Sequence, residues 1–292
     1  FVAFERGYFS EAGLDVEFKF FQAAQPMAVA VASKDVDYAV TAISGGLISL
    51  AEKGATKVIG GALSEEAGID GQKILASNAA YEAGLSSASQ LGGKSWGITQ
   101  SGSSFHFMGA KIAKKEGISL KYKPLQKVGA IIGALKSGQI DAWSIVPHIA
   151  KGLAKGGAVK IIGNVADYLP NYQVTSVFTS AANAAYERAK TEAFIAAFTK
   201  GAADFNAALV DKTAGDAAAE DMVKLIHKYV YNTRPYEKAA PSIRNGAMRI
   251  NSGAALNTTS IKEQLDWFKA EKLVKSSINM DTLVDSSYVK TL

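Results

Sequence analysis

The chain has 292 residues, a net charge of +5, 48% apolar and 20% charged residues, and no cysteine. This length allows two domains of ordinary size, and the composition is that of a globular protein. No apolar stretch approaches the length of a membrane span, and the lack of cysteine excludes disulfides, thiol nucleophiles and cysteine-ligated metals. The lysines are scattered rather than grouped into a basic stripe, which argues against nucleic acid as a partner.

In chain order, the first part of the sequence predicts alternating helices and strands. The aromatic residues of Phe1–Gly13 have helical spacing, and Asp15–Phe21 alternates as a strand does. The elements predicted next are a helix from Pro26 to about Ser33, a strand over Asp37–Thr41, a helix ending at Gly54 and a buried strand over Lys57–Leu63. A second series then repeats this order.

The second series again alternates strands and helices. Its strands are predicted at Ser95–Gln100, Leu120–Leu125, Asp141–Ile145, Val159–Gly163 and Val174–Thr179, and its helices at Phe105–Glu116, Lys127–Ser137 and after Pro147. After Ala181, alanine-rich helical patterns dominate to about Lys272. Alternating strands and helices indicate an α/β protein whose parallel sheets carry helices on both faces.

The two series form an internal repeat with a fixed offset of 104 residues. The identical pairs are Gly13 and Gly117, Lys19 and Lys123, Gln22 and Gln126, Ala30 and Ala134, Ser33 and Ser137, and Asp37 and Asp141. Two similar α/β lobes that face each other form a cleft, where small ligands bind. Phe1 aligns with Phe105, so the predicted strand and loop over Ser95–Ser104 have no counterpart. We therefore expect that the first strand of lobe one is missing from this chain.

The repeat also suggests how the chain divides between the lobes. We expect lobe one to comprise residues 1–79 and 180–292, and lobe two residues 80–179. Tyr81–Gln90 is rich in small residues and is the candidate crossing into lobe two, and Thr175–Ala182 is the candidate return.

Loops that follow strands supply the first candidate ligand-binding residues, because ligands of open α/β sheets bind beyond the carboxyl ends of strands. Ser101, Gly102, Ser103 and Ser104 precede a helix that begins near Phe105, and a helix N-terminus favours an anion. The alternative for any one of these serines is helix capping alone.

Further candidates come from equivalent positions of the two series. Gln22 and Gln126 lie just past equivalent strands, and they either bind ligand from opposing walls or are surface turn residues. The remaining candidates are Thr41, Ala42 and Ser44 in lobe one, and Phe105, Trp143, His148 and Tyr172 in or near lobe two. Trp143 and Tyr172 form an aromatic wall or belong to the core.

The sequence contains no recognisable catalytic or cofactor-binding motif. The three histidines do not form a metal-binding pair, and there is neither a nucleophile elbow nor a dinucleotide fingerprint. We expect no cofactor, no metal and no catalytic residue.

Several short segments together resemble the sulfonate, nitrate and taurine type of substrate-binding proteins of ABC importers, a family that also includes binders of thiamine-pyrimidine precursors. The similar segments are Phe4–Phe9, Glu11–Val16, Ser33–Ala39, Leu91–Ile98, Gly138–Trp143, Gln264–Phe268 and Leu283–Asp285. The resemblance implies a type II periplasmic-binding-protein fold, in which a hinge of two crossings joins the lobes and ligand is held between them. It also implies that the loop before the first helix contributes to the site.

The same resemblance implies where the protein acts and with which partners. It implies export to the periplasm, or to the outer face of the membrane if a lipid anchors the protein, with the signal peptide removed. It implies delivery of ligand to a membrane permease and its ATPase, and we expect a monomer without a membrane span.

We therefore predict a solute receptor rather than an enzyme. The predicted loops contain no arginine, so helix N-termini and hydroxyl groups would hold an anion. We favour a small organic anion, a sulfonate or carboxylate, and the aromatic candidates leave room for an aromatic group. The alternatives are a neutral heterocycle such as a thiamine-pyrimidine precursor, and an enzyme built on the same fold.

Overall fold

The computed structural model describes residues 1–292 as two larger sheets covered by helices and a third sheet of two short strands. The strands are β1 (Tyr38–Thr41), β2 (Thr56–Gly61), β3 (Leu63–Ser64), β4 (Lys73–Ser77), β5 (Ser95–Ile98), β6 (Lys121–Pro124), β7 (Ala142–Ile145), β8 (Val159–Asn164), β9 (Ser176–Ser180) and β10 (Arg249–Ile250). The helices are α1 (Val2–Glu5), α2 (Tyr8–Glu11), α3 (Ala24–Ala32), α4 (Gly45–Glu52), α5 (Asn78–Glu82), α6 (Ser104–Glu116), α7 (Val128–Lys136), α8 (Pro147–Lys155), α9 (Ala181–Tyr186), α10 (Arg188–Phe205), α11 (Asp216–His227), α12 (Tyr236–Arg244), α13 (Thr258–Ala270) and α14 (Met280–Leu283).

The two larger sheets share one plan. The five-stranded sheet has the order β6-β5-β7-β4-β8, and the three-stranded sheet has the order β1-β9-β2. In the first, β5 is parallel to β6 and β7, whereas β4 is antiparallel to β7 and β8. In the second, β9 is antiparallel to both neighbours. We call the three-stranded sheet with its helices lobe one, and the five-stranded sheet with its helices lobe two.

Each sheet receives one strand just after the chain has crossed from the other lobe. β4 joins lobe two and β9 joins lobe one, and each leads into a short helix whose first turn is capped by a serine, Ser77 or Ser180. The first crossing therefore lies over residues 65–72, and the second lies between Val174, in the core of lobe two, and the start of β9. The expected lobe boundaries after residues 79 and 179 therefore differ from those of the structure. Local sequence patterns do not reveal them, because β4 and β9 pair with strands that are distant in the sequence.

The expected first crossing at Tyr81–Gln90 instead lies within lobe two. Its residues end α5 and form a short 3-10 turn, and Leu85 and Ala88 are buried in the core of lobe two. Their small side chains allow close packing there rather than a flexible connection.

The repeat is visible in the bounds of the helices and strands. α3 and α7, and likewise β1 and β7, begin and end at positions separated by the same offset of 104 residues. The serines after α3 and α7 make the same contact, because Ser33 Oγ donates to the Ala30 carbonyl and Ser137 Oγ to the Ala134 carbonyl, both at 3.2 Å. The two lobes are thus built alike at the level of single side chains.

The predicted helix over Phe1–Gly13 is divided in two. Gly7 has a φ of 77°, which ends α1, and α2 begins at Tyr8. The equivalent residue of lobe two is Lys111, and α6 continues through it without a break. A glycine at this position permits the left-handed conformation that most residues avoid.

Residues 15–21, predicted as a strand, are extended but belong to no sheet. Their counterpart β6 is an edge strand whose only partner is β5. Because lobe one has no counterpart of β5, residues 15–21 have no strand beside them, and the predicted strand is corrected to an unpaired extended segment.

The C-terminal helices connect the two lobes. α13 places Phe268 in the core of lobe one, and the adjacent Trp267 lies 5.3 Å from the Phe107 ring of lobe two. No helix of the structure combines the length and the apolar character that crossing a membrane requires.

One buried amide links both crossings to this C-terminal region. Gln173 Nε2 donates to the carbonyls of Leu63, at 3.2 Å, and Thr175, at 2.9 Å. Its Oε1 accepts from Asn251 Nδ2, at 2.9 Å, and from the Asn257 amide, at 3.0 Å. A buried group with all these partners satisfied fixes the geometry of the hinge.

Candidate functional site

Loops of the two lobes meet directly across the cleft. The Gly45 amide of lobe one donates to the Gly102 carbonyl of lobe two at 2.9 Å. Beside it, Gln100 Nε2 of lobe two donates to Gln25 Oε1 of lobe one at 3.1 Å. These contacts describe a closed cleft in which the first residues of α3 and α4 meet the loop that precedes α6.

Glycines make this close approach possible. Gly102 has a φ of 75°, a conformation that favours glycine, and it lies in van der Waals contact with Gly45. A Cβ at Gly46 would lie 1.6 Å from Gln25 Oε1, so a side chain there would displace Gln25. The small-residue loops of the sequence therefore allow backbone contact between the lobes.

Two helix N-termini from opposite lobes lie at this contact. Ser44 Oγ accepts from the Leu47 amide at 3.2 Å and caps α4, and Ser103 Oγ accepts from the His106 amide at 3.4 Å and caps α6. Both serines are buried. The capping role is thus observed for Ser44 and Ser103, and the positive ends of two helix dipoles are brought together.

His106 lies in the first turn of α6 and contacts the loop before it, although it was not among the predicted site residues. Its Nδ1 accepts from the Gly102 amide at 3.2 Å, which requires that this nitrogen carry no proton. Burial lowers the pKa of His106, in agreement with a neutral ring. The side chain therefore fixes the loop that contacts Gly45.

The remaining polar candidates lie around the rim of the closed contact. The Val128 amide at the start of α7 approaches the Gln22 carbonyl at 3.5 Å, which places the equivalent loops of the two lobes side by side. The exposed candidates are Gln22, Gln126 and Ser101, the half-buried ones are Thr41, Ser104 and Phe105, and Ala42 is buried. Their direct role in binding stays a prediction.

The structure places the two aromatic candidates in hydrophobic cores. Trp143 is 0% exposed and packs with Leu75 and Ile131, with its ring 5.2 Å from that of Phe105. Tyr172 is also buried, its ring lies 5.5 Å from that of Phe107, and burial raises the pKa of its hydroxyl. These positions favour the core interpretation of both residues over a ligand wall.

His148 lies where lobe two meets the C-terminal helices. Its Nδ1 is 2.9 Å from the Tyr231 hydroxyl, and burial lowers the pKa of His148 to about 4. A Cβ built at Gly246 would lie 2.3 Å from His148 Cβ, so a glycine is required beside the ring. His148 is therefore neutral at neutral pH and tightly packed.

An apolar cavity of about 590 Å³ begins beside this histidine. Val146 and His148 line its interlobe end, and among the predicted site residues only His148 lines it. From there the cavity extends into lobe one, between residues 16–21 and β1. A second, open cleft of about 780 Å³ lies between α6 and α13 and contains none of the predicted residues.

Sequence reasoning missed the residues that make the contact between the lobes. Gln25, Gln100 and Gly45 were included in predicted loops or strands without a role. The only sequence signal for them is their place beside the equivalent loops of the repeat. Which atoms touch depends on the relative position of the lobes, which local patterns do not contain.

Comparison with known proteins places the chain in a family. A family model described as "NMT1/THI5 like" matches residues 1–208. The chain belongs to the NMT1/THI5-like family. No curated protein matches the sequence.

Solved structures resemble this NMT1/THI5-like protein over almost its whole length. The alkanesulfonate-binding protein SsuA from Xanthomonas axonopodis pv. citri, bound to MOPS, is 16% identical with a TM-score of 0.74, covering 98% of this chain and 93% of its own. The periplasmic aliphatic sulphonate binding protein SsuA from Escherichia coli is 17% identical with a TM-score of 0.73, covering 100% of this chain and 89% of its own. The Candida albicans CA3427 gene product, described as having the generic periplasmic binding protein fold, is 16% identical with a TM-score of 0.72, covering 99% and 92%.

The family and the fold predicted from the sequence are thus confirmed. The NMT1/THI5-like chain has the mixed α/β architecture of periplasmic binding proteins, with two similar lobes.

Proposed function

We propose that this protein is the extracytoplasmic solute receptor of an ABC importer. It binds a small organic anion, a sulfonate or carboxylate, between its lobes, and it delivers the anion to a membrane permease and its ATPase. The observation that carries this proposal is the meeting of the N-termini of α4 and α6 at the Gly45–Gly102 contact. The first-turn amides of a helix and its dipole together favour a negative group.

The charges of the contacting loops support an anion. Residues 22–25, 41–46 and 99–104 contain no acidic side chain, and the positively charged Lys127 directly precedes α7 nearby. No arginine is present in these loops, so backbone amides and hydroxyl groups are the available donors. Such donors suit a compact oxyanion without requiring a bidentate partner.

The names of the similar structures support the ligand class. One is named as an alkanesulfonate-binding protein bound to MOPS, itself a sulfonate, and another as an aliphatic sulphonate binding protein. In the present chain, Val146 and His148 provide an apolar surface at the interlobe end of the cavity, which suits the organic part of such a ligand.

Isothermal titration calorimetry on the intact chain tests the proposal. The ligands are MOPS, taurine, alkanesulfonates, benzoate, nitrate and a thiamine pyrimidine. We expect that at least one sulfonate or carboxylate binds in the micromolar range and that the pyrimidine does not. The variant Gly102→Val should weaken binding at least about tenfold, because a β-branched residue disfavours a positive φ and separates the loops.

The matched control is Gly133→Ala in α7, where an added Cβ meets nothing within 4 Å. It should bind like the unaltered chain. Binding of the pyrimidine alone would replace the anion by a neutral heterocycle. Conversion of a bound ligand to product would contradict the receptor and indicate an enzyme.

A further inference from the structure

The open cleft between α6 and α13 is not used by the proposed function, since none of the predicted ligand-binding residues lines it. α6 and β6 of lobe two form one wall, and α13, whose Phe268 lies in the core of lobe one, forms the other. Lys111 Nζ of the first wall lies 2.5 Å from Glu263 Oε1 of the second. The volume of about 780 Å³ is that of a small-molecule site, for which about 300–1,000 Å³ is usual.

Three aromatic side chains from distant parts of the chain converge at one end of this cleft. The ring centroid of His106 lies 4.2 Å from that of Tyr122 and 5.1 Å from that of Trp267. All three side chains line the cleft and are half-buried, so part of each ring is open to a ligand. We call these three residues the aromatic end of the cleft. Aromatic rings provide apolar contact area, and their faces attract cations.

A carboxylate without a cationic partner lies at the aromatic end. Glu271 is the C-cap residue of α13, lines the cleft and forms no ion pair. Burial and, after it, the negative charge of Glu271 raise the pKa of Tyr122 to about 12, which shows that the carboxylate lies close to this ring. The carbonyl end of α13 adds further negative potential at the same place. The aromatic end therefore favours a positive charge.

The other charges of the cleft do not cancel this preference. Four of the charged side chains form ion pairs at 2.5 Å with one another: Lys111 with Glu263, and Lys262 with Asp266. Lys114 has no such partner, but it follows His106 by eight residues and so lies about 12 Å further along α6. The lysines nearest to Glu271 in the sequence, Lys269 and Lys272, do not line the cleft.

We propose that the aromatic end of this cleft binds an organic cation. Its ammonium group lies beside the Glu271 carboxylate, and its apolar body packs against Tyr122 and Trp267. The apolar side chains that continue the surface beyond these rings are Ala110, Ala113, Ile118 and Leu120. This ligand is opposite in charge to the anion of the proposed function, so the two sites differ in chemistry as well as in place. An occupant contacts both lobes and so favours the closed arrangement.

Titration of the intact chain with phenethylamine, followed by NMR, tests this proposal. The signal is the indole N–H resonance of Trp267, which is half-buried, whereas Trp96 and Trp143 are 0% exposed. The variant Trp267→Phe identifies this resonance. The uncharged analogue 2-phenylethanol has the same shape and serves as the matched ligand. We expect a Kd of about 1 mM or lower for the amine, as is usual for a ligand of this size, and binding of the alcohol at least about fivefold weaker.

The variant Glu271→Gln removes the charge from an exposed side chain and retains its shape. It should weaken binding of the amine at least about fivefold and leave binding of the alcohol unchanged. The matched control is Glu82→Gln, an exposed carboxylate of lobe two that does not line the cleft. It should bind both compounds like the unaltered chain.

Salt dependence provides an arm that needs no variant. Raising the NaCl concentration should weaken binding of the amine to the unaltered chain and leave the alcohol unaffected, because salt screens an exposed charge pair. The proposal is overturned if the Trp267 resonance does not respond to the amine or if amine and alcohol bind equally. It is also overturned if Glu271→Gln binds the amine as tightly as the unaltered chain does.

Discussion

Burial keeps the imidazole ring of His148 neutral in the folded protein. Burial lowers its pKa to about 4, below the ordinary value of 6.5. The unfolded chain therefore binds more protons than the folded chain at acidic pH, and the free energy of unfolding falls as the pH decreases below 6.5. The stability that depends on a neutral His148 is fully present above pH 6.5. About 2 kcal/mol of it is lost between pH 7 and pH 5.

Urea unfolding at pH 7 and pH 5 measures this loss. The variant His148→Gln has no titrating group at this position, and its amide can still contact the Tyr231 hydroxyl. We expect that the difference in unfolding free energy between the two pH values is smaller in the variant by about 2 kcal/mol. If the variant and the unaltered chain lost the same unfolding free energy between pH 7 and pH 5, other groups would cause the acid sensitivity. His106 is one such group, since burial lowers its pKa as well.

Single residues also show where sequence reasoning ends. Gln22 and Gln126 are both exposed, and the Gln22 carbonyl lies 3.5 Å from the Val128 amide, so their role in ligand binding from opposing walls stays a prediction. Trp143 and Tyr172 have the residue types of a binding wall, yet they are buried in the core. An aromatic residue near a strand end suits both roles, and only the packing of the surrounding helices decides between them.

At the scale of elements, α7 offers a test of helix stability that does not involve the cleft. Gly133 is exposed in the middle of this helix, and a Cβ there meets no atom within 4 Å. Gly133→Ala should raise the free energy of unfolding by about 0.5–1 kcal/mol, because alanine loses less backbone entropy in a helix. Thermal or urea unfolding at neutral pH provides the measurement.

Gly7→Ala is the contrasting change between α1 and α2. A Cβ added at Gly7 also meets no atom within 4 Å, but the φ of 77° at this position makes alanine unfavourable. We expect it to destabilise the fold. If both variants shifted stability in the same direction, backbone conformation would not be the deciding factor.

The elements that local patterns predict well are those whose partners are near in sequence. α3, α7, β1 and β7 agree with the predicted segments, because their periodicity is set by one buried face. The crossings were placed wrongly, since β4 pairs with Ala142–Ile145, far along the chain. Residues 15–21 have the alternation of a strand, but a strand also requires a neighbour that donates and accepts hydrogen bonds.

At the scale of the whole molecule, polar contacts join the lobes in two places. At the contacting loops, Gln100 and Gln25 form a side-chain hydrogen bond, and Gly45 and Gly102 form a backbone bond. At the C-terminal helices, Lys111 pairs with Glu263. Closure of two lobes about a hinge is a common way to enclose a ligand, and weakening one contact shifts the balance between the closed and open states.

Removing the side-chain bond should shift this equilibrium toward the open state. A typical hydrogen bond contributes about 1 kcal/mol net, so Gln100→Ala should reduce the closed population relative to the open one by about fivefold. Small-angle scattering of the free protein should show a larger radius of gyration, and ligand affinity should fall by a similar factor. Gln25→Ala should have the same effect, and the double variant should add little, because both changes remove one bond.

The matched control is Gln139→Ala, an exposed residue of lobe two whose side chain makes no hydrogen bond across the cleft. It should leave the radius of gyration and the affinity unchanged. Additive effects of Gln25→Ala and Gln100→Ala would show that the two side chains act separately. The backbone contact between Gly45 and Gly102 would then be the main determinant of closure.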